Sequence, residues 1–151
     1  MEFTAEEQRE HRLNLARYLL TRVSDEDFTM SIYSHIGATP REVLENDCGT
    51  AGCALGHAPL ALGILGLEGE DFYQYGRRVL GIGKVPPSLY QNSQAIFPED
   101  EEWCWCFDDE WMDVDNTPQG AGMRILWLEN YGLPDNWREQ MYGDAKLCYL
   151  E

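Results

Sequence analysis

A chain of 151 residues with 44% apolar and 12% aromatic side chains carries enough hydrophobic material to fold as one domain without staples, which excludes wholesale disorder. Its 27 acids outweigh 11 bases, a formal charge of −16, and a field of that sign repels DNA, RNA and anionic membrane while attracting basic protein surfaces. The excess is uneven: residues 1–96 hold eight Lys/Arg against thirteen Asp/Glu, and residues 97–151 hold three against fourteen.

The first predicted helix runs from Thr4 to about Val23. Thr4 and Glu7 form a capping box, and Leu13, Ala16, Leu20 and Val23 recur at helical spacing, with Leu15 and Leu19 widening the stripe. His11 falls on the polar side and reads as a solvated surface histidine. The chain passes from Met1-Glu2-Phe3-Thr4 directly into this polar helix, and no apolar run reaches transmembrane length, so a cytoplasmic location is expected. Phe28 to Tyr33 alternates apolar and polar residues and predicts a short strand or extended piece. Thr39-Pro40-Arg41-Glu42 then reads as a helix start, with Thr as cap, Pro at the first helical position and Glu three beyond the cap.

The segment from Asp47 to Pro59 places Cys48, Cys53 and His57 within thirteen residues, among three glycines. One reading is structural: Thr50 opens a helix, and Cys53, Leu55 and Ala58 join the core, where free cysteine behaves as a small apolar residue. The other is a soft-ligand set for zinc, with Cys53 and His57 four apart on one helical face and Cys48 just upstream. The spacing matches no known zinc motif, and Cys104, Cys106 or Cys148 could complete a site only through tertiary folding. Five cysteines at irregular spacing otherwise read as reduced thiols. Pro59 lacks an amide hydrogen and predicts a break or kink. Leu60, Leu62, Ile64, Leu65 and Leu67 read as a buried segment.

Phe72, Tyr75 and Val79 fall on one side of another predicted helix. Gly81-Ile82-Gly83-Lys84 lacks the spacing and the preceding strand of a phosphate loop, and residues 84–98 read as a connection with one helical turn around Ser88 to Ala95. Residues 97–116 contain nine carboxylates and no base, together with Phe97, Trp103, Trp105, Phe107 and Trp111. Aromatics inside and acids on a solvated face account for much of that pattern. Such a face also imitates a phosphate backbone and offers counter-charge to a basic groove. Asp113-Val114-Asp115-Asn116-Thr117 matches the D-x-D-x-T of phosphoaspartyl-forming hydrolases, but Thr117-Pro118 reads better as the cap and first residue of a helix reaching Tyr131. In that helix Ala121, Ile125 and Leu128 point inward, Gly120 and Gly122 permit close packing, and Arg124 is expected to pair with a carboxylate. Gly132 and Pro134 end it. A last helix spans about Asp135 to Tyr142, and the residues beyond either dock through Leu147, Tyr149 and Leu150 or stay mobile.

Two stretches carry a resemblance: Cys48-Gly49-Thr50, Cys53, Gly56-His57 and Pro59 in the first part, and the Trp103-to-Trp111 aromatic run with Asp115-Asn116-Thr117-Pro118, Gly120-Ala121 and Arg124-Ile125 in the second. Together they resemble a family of uncharacterised small proteins encoded by bacteria and their phages. The resemblance spans about residues 28–143. It implies an origin and no mechanism.

The expected fold is therefore mainly α, a single compact domain of about six helices over residues 1–151 with short irregular or strand segments. The expected function is that of a non-enzymatic acidic binding protein of phage or mobile-element type. Glu99, Asp100, Glu101, Glu102, Asp108, Asp109, Glu110 and Asp113 would engage a basic nucleic-acid-handling host protein, such as a nuclease or a CRISPR or restriction component, and inhibit it by charge mimicry. No direct nucleic-acid or membrane contact is expected. Three other readings stay open: a small zinc protein or enzyme centred on Cys48, Cys53 and His57; an immunity or antitoxin protein for a basic nuclease; and a protein with a pocket that sequesters a small signalling molecule, where the acidic surface argues against a nucleotide unless Arg77, Arg78 or Arg124 lines the cavity.

Overall fold

Local capping signals set where the first helix begins. In a computed structural model, which describes residues 2–30, 39–46, 53–83 and 101–150, helix α1 spans Ala5–Thr21. The Thr4 hydroxyl accepts from the Glu7 amide at 3.1 Å, and the Glu7 carboxylate accepts from the Thr4 amide at 2.9 Å. These bonds, the Thr4 backbone first, hold the Glu7 carboxyl below its ordinary range. Leu15, Ala16, Leu19 and Val23 are buried, while Leu13 and Leu20 are half-buried. The inward stripe is thus centred on positions 15 and 19, one step round from the face centred on 13 and 20. Phe28 is extended and buried, and Met30 is buried two residues on with half-buried Thr29 between, as the alternating pattern predicts; Ser31 to Tyr33 lie outside the described residues.

Helix α2 spans Pro40–Asn46 and starts as its sequence predicts, the Thr39 hydroxyl accepting from the Glu42 amide at 3.2 Å. Ala54 to His57 form a turn, and α3 covers Ala58–Leu62 with Pro59 in its first turn. The break therefore falls just before the proline, where a missing amide hydrogen is harmless. Gly63 closes α3 in the left-handed conformation at φ 65°, and the chain then leaves the core: Leu60, Leu62 and Ile64 are half-buried, and Leu65 and Leu67 are exposed. The expected buried segment is only half realised, because the reversal at Gly63 carries its second half outward.

Helix α4, Phe72–Tyr75, continues as a π-helical turn over Gly76–Leu80. Phe72, Tyr75 and Val79 are buried as their spacing predicts. The Arg77 carbonyl accepts from the Gly81 amide at 3.2 Å, and α1 supplies further donors to the last carbonyls of the turn. Gln8 Nε2 donates to the Arg77 and Arg78 carbonyls at 3.2 and 3.0 Å, His11 Nδ1 to Val79 at 2.7 Å and Arg12 Nη1 to Leu80 at 2.7 Å. This corrects the reading of His11 as a solvated histidine: its ring is half-buried, edge-on to Phe3 at 4.7 Å, and it anchors one helix to the end of another. Beside it, Arg78 grips Glu70 through two bonds of 2.7 and 2.8 Å.

Helix α5, Glu101–Phe107, buries five consecutive side chains from Trp103 to Phe107. A helix apolar on every side has to run through the core, and it does. Gly76 makes room for it, since a β-carbon there would lie 2.8 Å from the Trp103 ring. A 3-10 turn, Asp109–Asp113, leads to helix α6, Pro118–Tyr131, which Thr117 caps. Helix α6 packs along α1. Gly122 permits the approach, because a β-carbon there would meet Leu20 at 2.9 Å and the Ala16 carbonyl at 3.0 Å. Helix α7, Trp137–Met141, and a 3-10 turn at Cys148–Leu150 complete the described chain. The architecture is mainly α, and among the described residues no β-sheet forms. No helix among them is long and apolar enough to cross a membrane.

Candidate functional site

The acidic residues flank α5 at both ends. Glu101 and Glu102 sit in its first turn, where the helix dipole favours negative charge; Asp108, Asp109, Glu110 and Asp113 follow its last turn, about 10 Å farther along the axis. Glu101, Asp109, Glu110 and Asp113 are exposed, whereas Glu102 and Asp108 are half-buried. Glu99 and Asp100 lie outside the described residues, as does Phe97. Asp108 is part of the scaffold, its carboxylate accepting from the Glu110 amide at 2.8 Å. Burial, reinforced by neighbouring Asp109 and opposed by that bond, raises its carboxyl above the usual range.

Beneath this rim the aromatic side chains form a layer with their polar hydrogens satisfied. Trp105 Nε1 donates to the Arg124 carbonyl at 3.0 Å and Trp111 Nε1 to the Cys104 carbonyl at 3.1 Å. The two indoles meet edge to face at 5.4 Å. The acids are consequently carried on a rigid base and not on a loose strand.

Arg124, the base nearest in sequence, does not reach the rim. It is fully buried, its guanidinium lies 4.1 Å from the centre of the Trp111 ring, and Nη1 is 3.5 Å from Asp115 Oδ2. The expected pairing with a carboxylate is present, and it is turned inward. Nη1 also donates to the Tyr149 hydroxyl at 2.7 Å, which donates in turn to Asp115 Oδ2 at 2.8 Å. Asp115 further accepts from the Thr117 hydroxyl at 2.7 Å, and Gly120 leaves the space its carboxylate fills. Burial pushes the Tyr149 phenol up, with Arg124 opposing. Asp115 and Thr117 therefore stand at a helix start, Thr117 as its cap, as the alternative reading predicts, while Asp113 ends the preceding turn, and no strand among the described residues feeds them. Tyr149, one of the three tail residues the sequence offers for docking, is buried, and its partners Arg124 and Asp115 are what sequence reasoning leaves unassigned.

The cysteine stretch has a different chemistry. Cys53 is buried with its sulfur accepting from the Gly56 amide at 3.4 Å, and desolvation pushes its thiol up to about 11. His57 Nε2 donates to the Asp27 carbonyl at 2.8 Å, and its ring stacks on Phe28 at 6.2 Å. Cys48 and Thr50 lie outside the described residues. Among those described, no group of three or more His, Cys, Asp or Glu is arranged to hold a metal ion. A cleft of about 150 Å³ between α1, Ile82 and α6 is lined by Arg12, Glu102 and Glu129, not by Arg77, Arg78 or Arg124; its Arg12 and Glu129 already pair at 2.8 Å. No protein-family model matches the chain, and comparison with curated proteins and with solved structures gives no match.

Proposed function

We propose that this chain is a non-enzymatic acidic binding protein whose rim around α5 engages a basic, nucleic-acid-handling protein and blocks it by charge mimicry. The observation that supports this reading is the sorting of side chains in residues 101–116. Aromatic rings fill the interior, Glu101, Asp109, Glu110 and Asp113 face solvent, and no Lys or Arg occurs in the segment to neutralise them. Exposed like charges repel one another and gain little from isolated surface pairing. A partner's arginines and lysines relieve that repulsion and raise the association rate at low salt. Together with the resemblance to bacterial and phage-encoded proteins, the reading makes the partner a host defence enzyme such as a restriction or CRISPR nuclease.

The test is inhibition of such nucleases by purified protein at increasing ionic strength. We expect inhibition that weakens steeply with salt and is relieved by excess DNA competing for the same groove. Inhibition indifferent to both salt and DNA would sink the reading.

A further inference from the structure

The turn Asp109–Asp113 carries one outward side chain that charge does not account for. About three residues per turn put the side chains of a 3-10 segment on three edges, with positions i and i+3 eclipsed. Trp111 takes the inward edge and is fully buried. Asp109 and Met112 therefore share one outward edge, and Glu110 and Asp113 share the other. All four are exposed, Met112 by 45%. We propose that Met112 is the apolar anchor of the acidic rim, and that the partner surface it fits is basic with an apolar depression among its lysines and arginines. For the partner's identity as a nucleic-acid-handling protein this rests on the charge-mimicry reading; for the chemistry of the surface it does not.

Single exposed hydrophobic side chains are ordinary on proteins, so the setting decides. Leu65, Leu67, Met112, Tyr131, Tyr142 and Leu150 are the large ones among the described residues. Of these only Met112 lies within residues 101–116, where no Lys or Arg occurs. Asp109 shares its edge and Asp113 follows it in the chain. A cationic surface drawn to these acids is therefore brought against the thioether.

The turn holds this arrangement before any partner arrives. Trp111 Nε1 donates to the Cys104 carbonyl at 3.1 Å, the Arg124 guanidinium lies 4.1 Å from the centre of its ring, and the Asp108 carboxylate accepts from the Glu110 amide at 2.8 Å. A backbone fixed in advance spares the ordering cost of binding, while the unbranched methionine side chain adapts to depressions of varied shape. Interfaces surround an apolar centre with a polar rim, and a few side chains at that centre carry most of the energy. In this division the acids set the encounter and its salt dependence, and Met112 adds contact that salt does not screen.

Two synthetic cationic peptides of equal length and charge test this on the full chain, one built of lysine and serine, the other with leucine in place of some of the serines. We expect the native sequence to bind the leucine peptide about fivefold more tightly than the serine peptide, and Met112→Gln to bind both alike. Met112→Leu should restore the preference. Affinity should fall with salt at the same slope in the native sequence and in Met112→Gln, and at a shallower slope when Asp109, Glu110 and Asp113 are neutralised. Met112→Asp should tighten the serine peptide and weaken the leucine peptide. A native sequence without the preference overturns the proposal, as does a preference that survives Met112→Gln, or tightening of both peptides by Met112→Asp, which would leave charge as all that the surface uses. Neither peptide is a nuclease, so discrimination between them by a protein that inhibits no nuclease supports the anchor while overturning the charge-mimicry reading.

Discussion

Cys53 and His57 turn inward onto backbone partners, whereas Glu101, Asp109, Glu110 and Asp113 turn outward with no base in their segment. Both regions border buried aromatic rings, so hydrophobicity alone does not separate them. The difference lies in where the polar bonds go. A thiol accepting from Gly56 and an imidazole bonded to Asp27 have satisfied their chemistry within the fold. The exposed carboxylates face solvent, and under the proposed function that leaves them for a partner. A segment dense in reactive residue types is therefore not by that fact a site, and a segment of ordinary acids can be one when the interior withholds its counter-ions.

The largest effect that separates rim from base is on stability. Trp105→Ala removes a fully buried indole that contacts Trp111 and Tyr149 and donates to Arg124; it should cost about 3–5 kcal/mol in urea unfolding. Neutralising Glu101, Asp109, Glu110 and Asp113 together, as Gln or Asn, should leave stability within about 1 kcal/mol or raise it, because exposed substitutions that relieve repulsion disturb no packing. If both variants lost stability equally, the acids would belong to the core's support and the contrast would collapse.

Next in size is the alkaline behaviour of Cys53. Its thiol ionises at 9.0 without the fold and only near 11 within it, so the folded state holds the proton longer. Its contribution is fully present below pH 9 and is lost as pH rises through the window up to 11, at about 1.4 kcal/mol per pH unit. Between pH 9 and 10 stability should fall in the native sequence and fall less in Cys53→Ala, the tyrosines contributing equally to both. Native-state alkylation of this thiol at pH 8 should be about a hundredfold slower than in urea. Rapid alkylation of the folded protein would show Cys53 to be accessible and reopen it as a reactive group.

The smallest effect concerns Asp108. Its carboxyl is raised by burial, so the folded state favours the proton, and this group's stabilisation is greatest below the ordinary carboxylate range and lost as pH rises through it. Asp108→Asn keeps an acceptor for the Glu110 amide and carries no charge. At pH 7 it should be more stable than the native sequence by a few tenths of a kcal/mol, since the site is partly solvated, and the gain should vanish toward pH 3. A loss at pH 7 would mean that the charge itself holds the turn.

What was legible in the sequence was local. Thr4 with Glu7, Thr39 with Glu42 and Thr117 before Pro118 each fix a helix start within four residues, and each is found as read. The division of residues 101–116 into aromatic interior and acidic exterior was legible too, because a run such as Trp103 to Phe107 has nowhere to go but inside. Contacts across the chain were not. His11 finds the Val79 carbonyl because a π-helical turn ends there, and nothing near His11 announces it. Arg124 advertises a carboxylate partner but not Tyr149, 25 residues away. Leu65 and Leu67 read as core because they are leucines, yet the left-handed Gly63 sends them to the surface. Of the expected site residues, Cys48, Glu99 and Asp100 lie outside the described structure.

The central claim is that position, and not bulk charge, makes the rim a binding surface. The most direct measurement compares two variants with identical charge change in the nuclease inhibition assay: one neutralised at Glu101, Asp109, Glu110 and Asp113, the other at the exposed Glu2, Glu6, Glu10 and Glu26. The account predicts that the first loses inhibition by at least about tenfold, roughly one well-placed ion pair's worth, while the second inhibits as the native sequence does. Equal loss in both, or loss in neither, would contradict it.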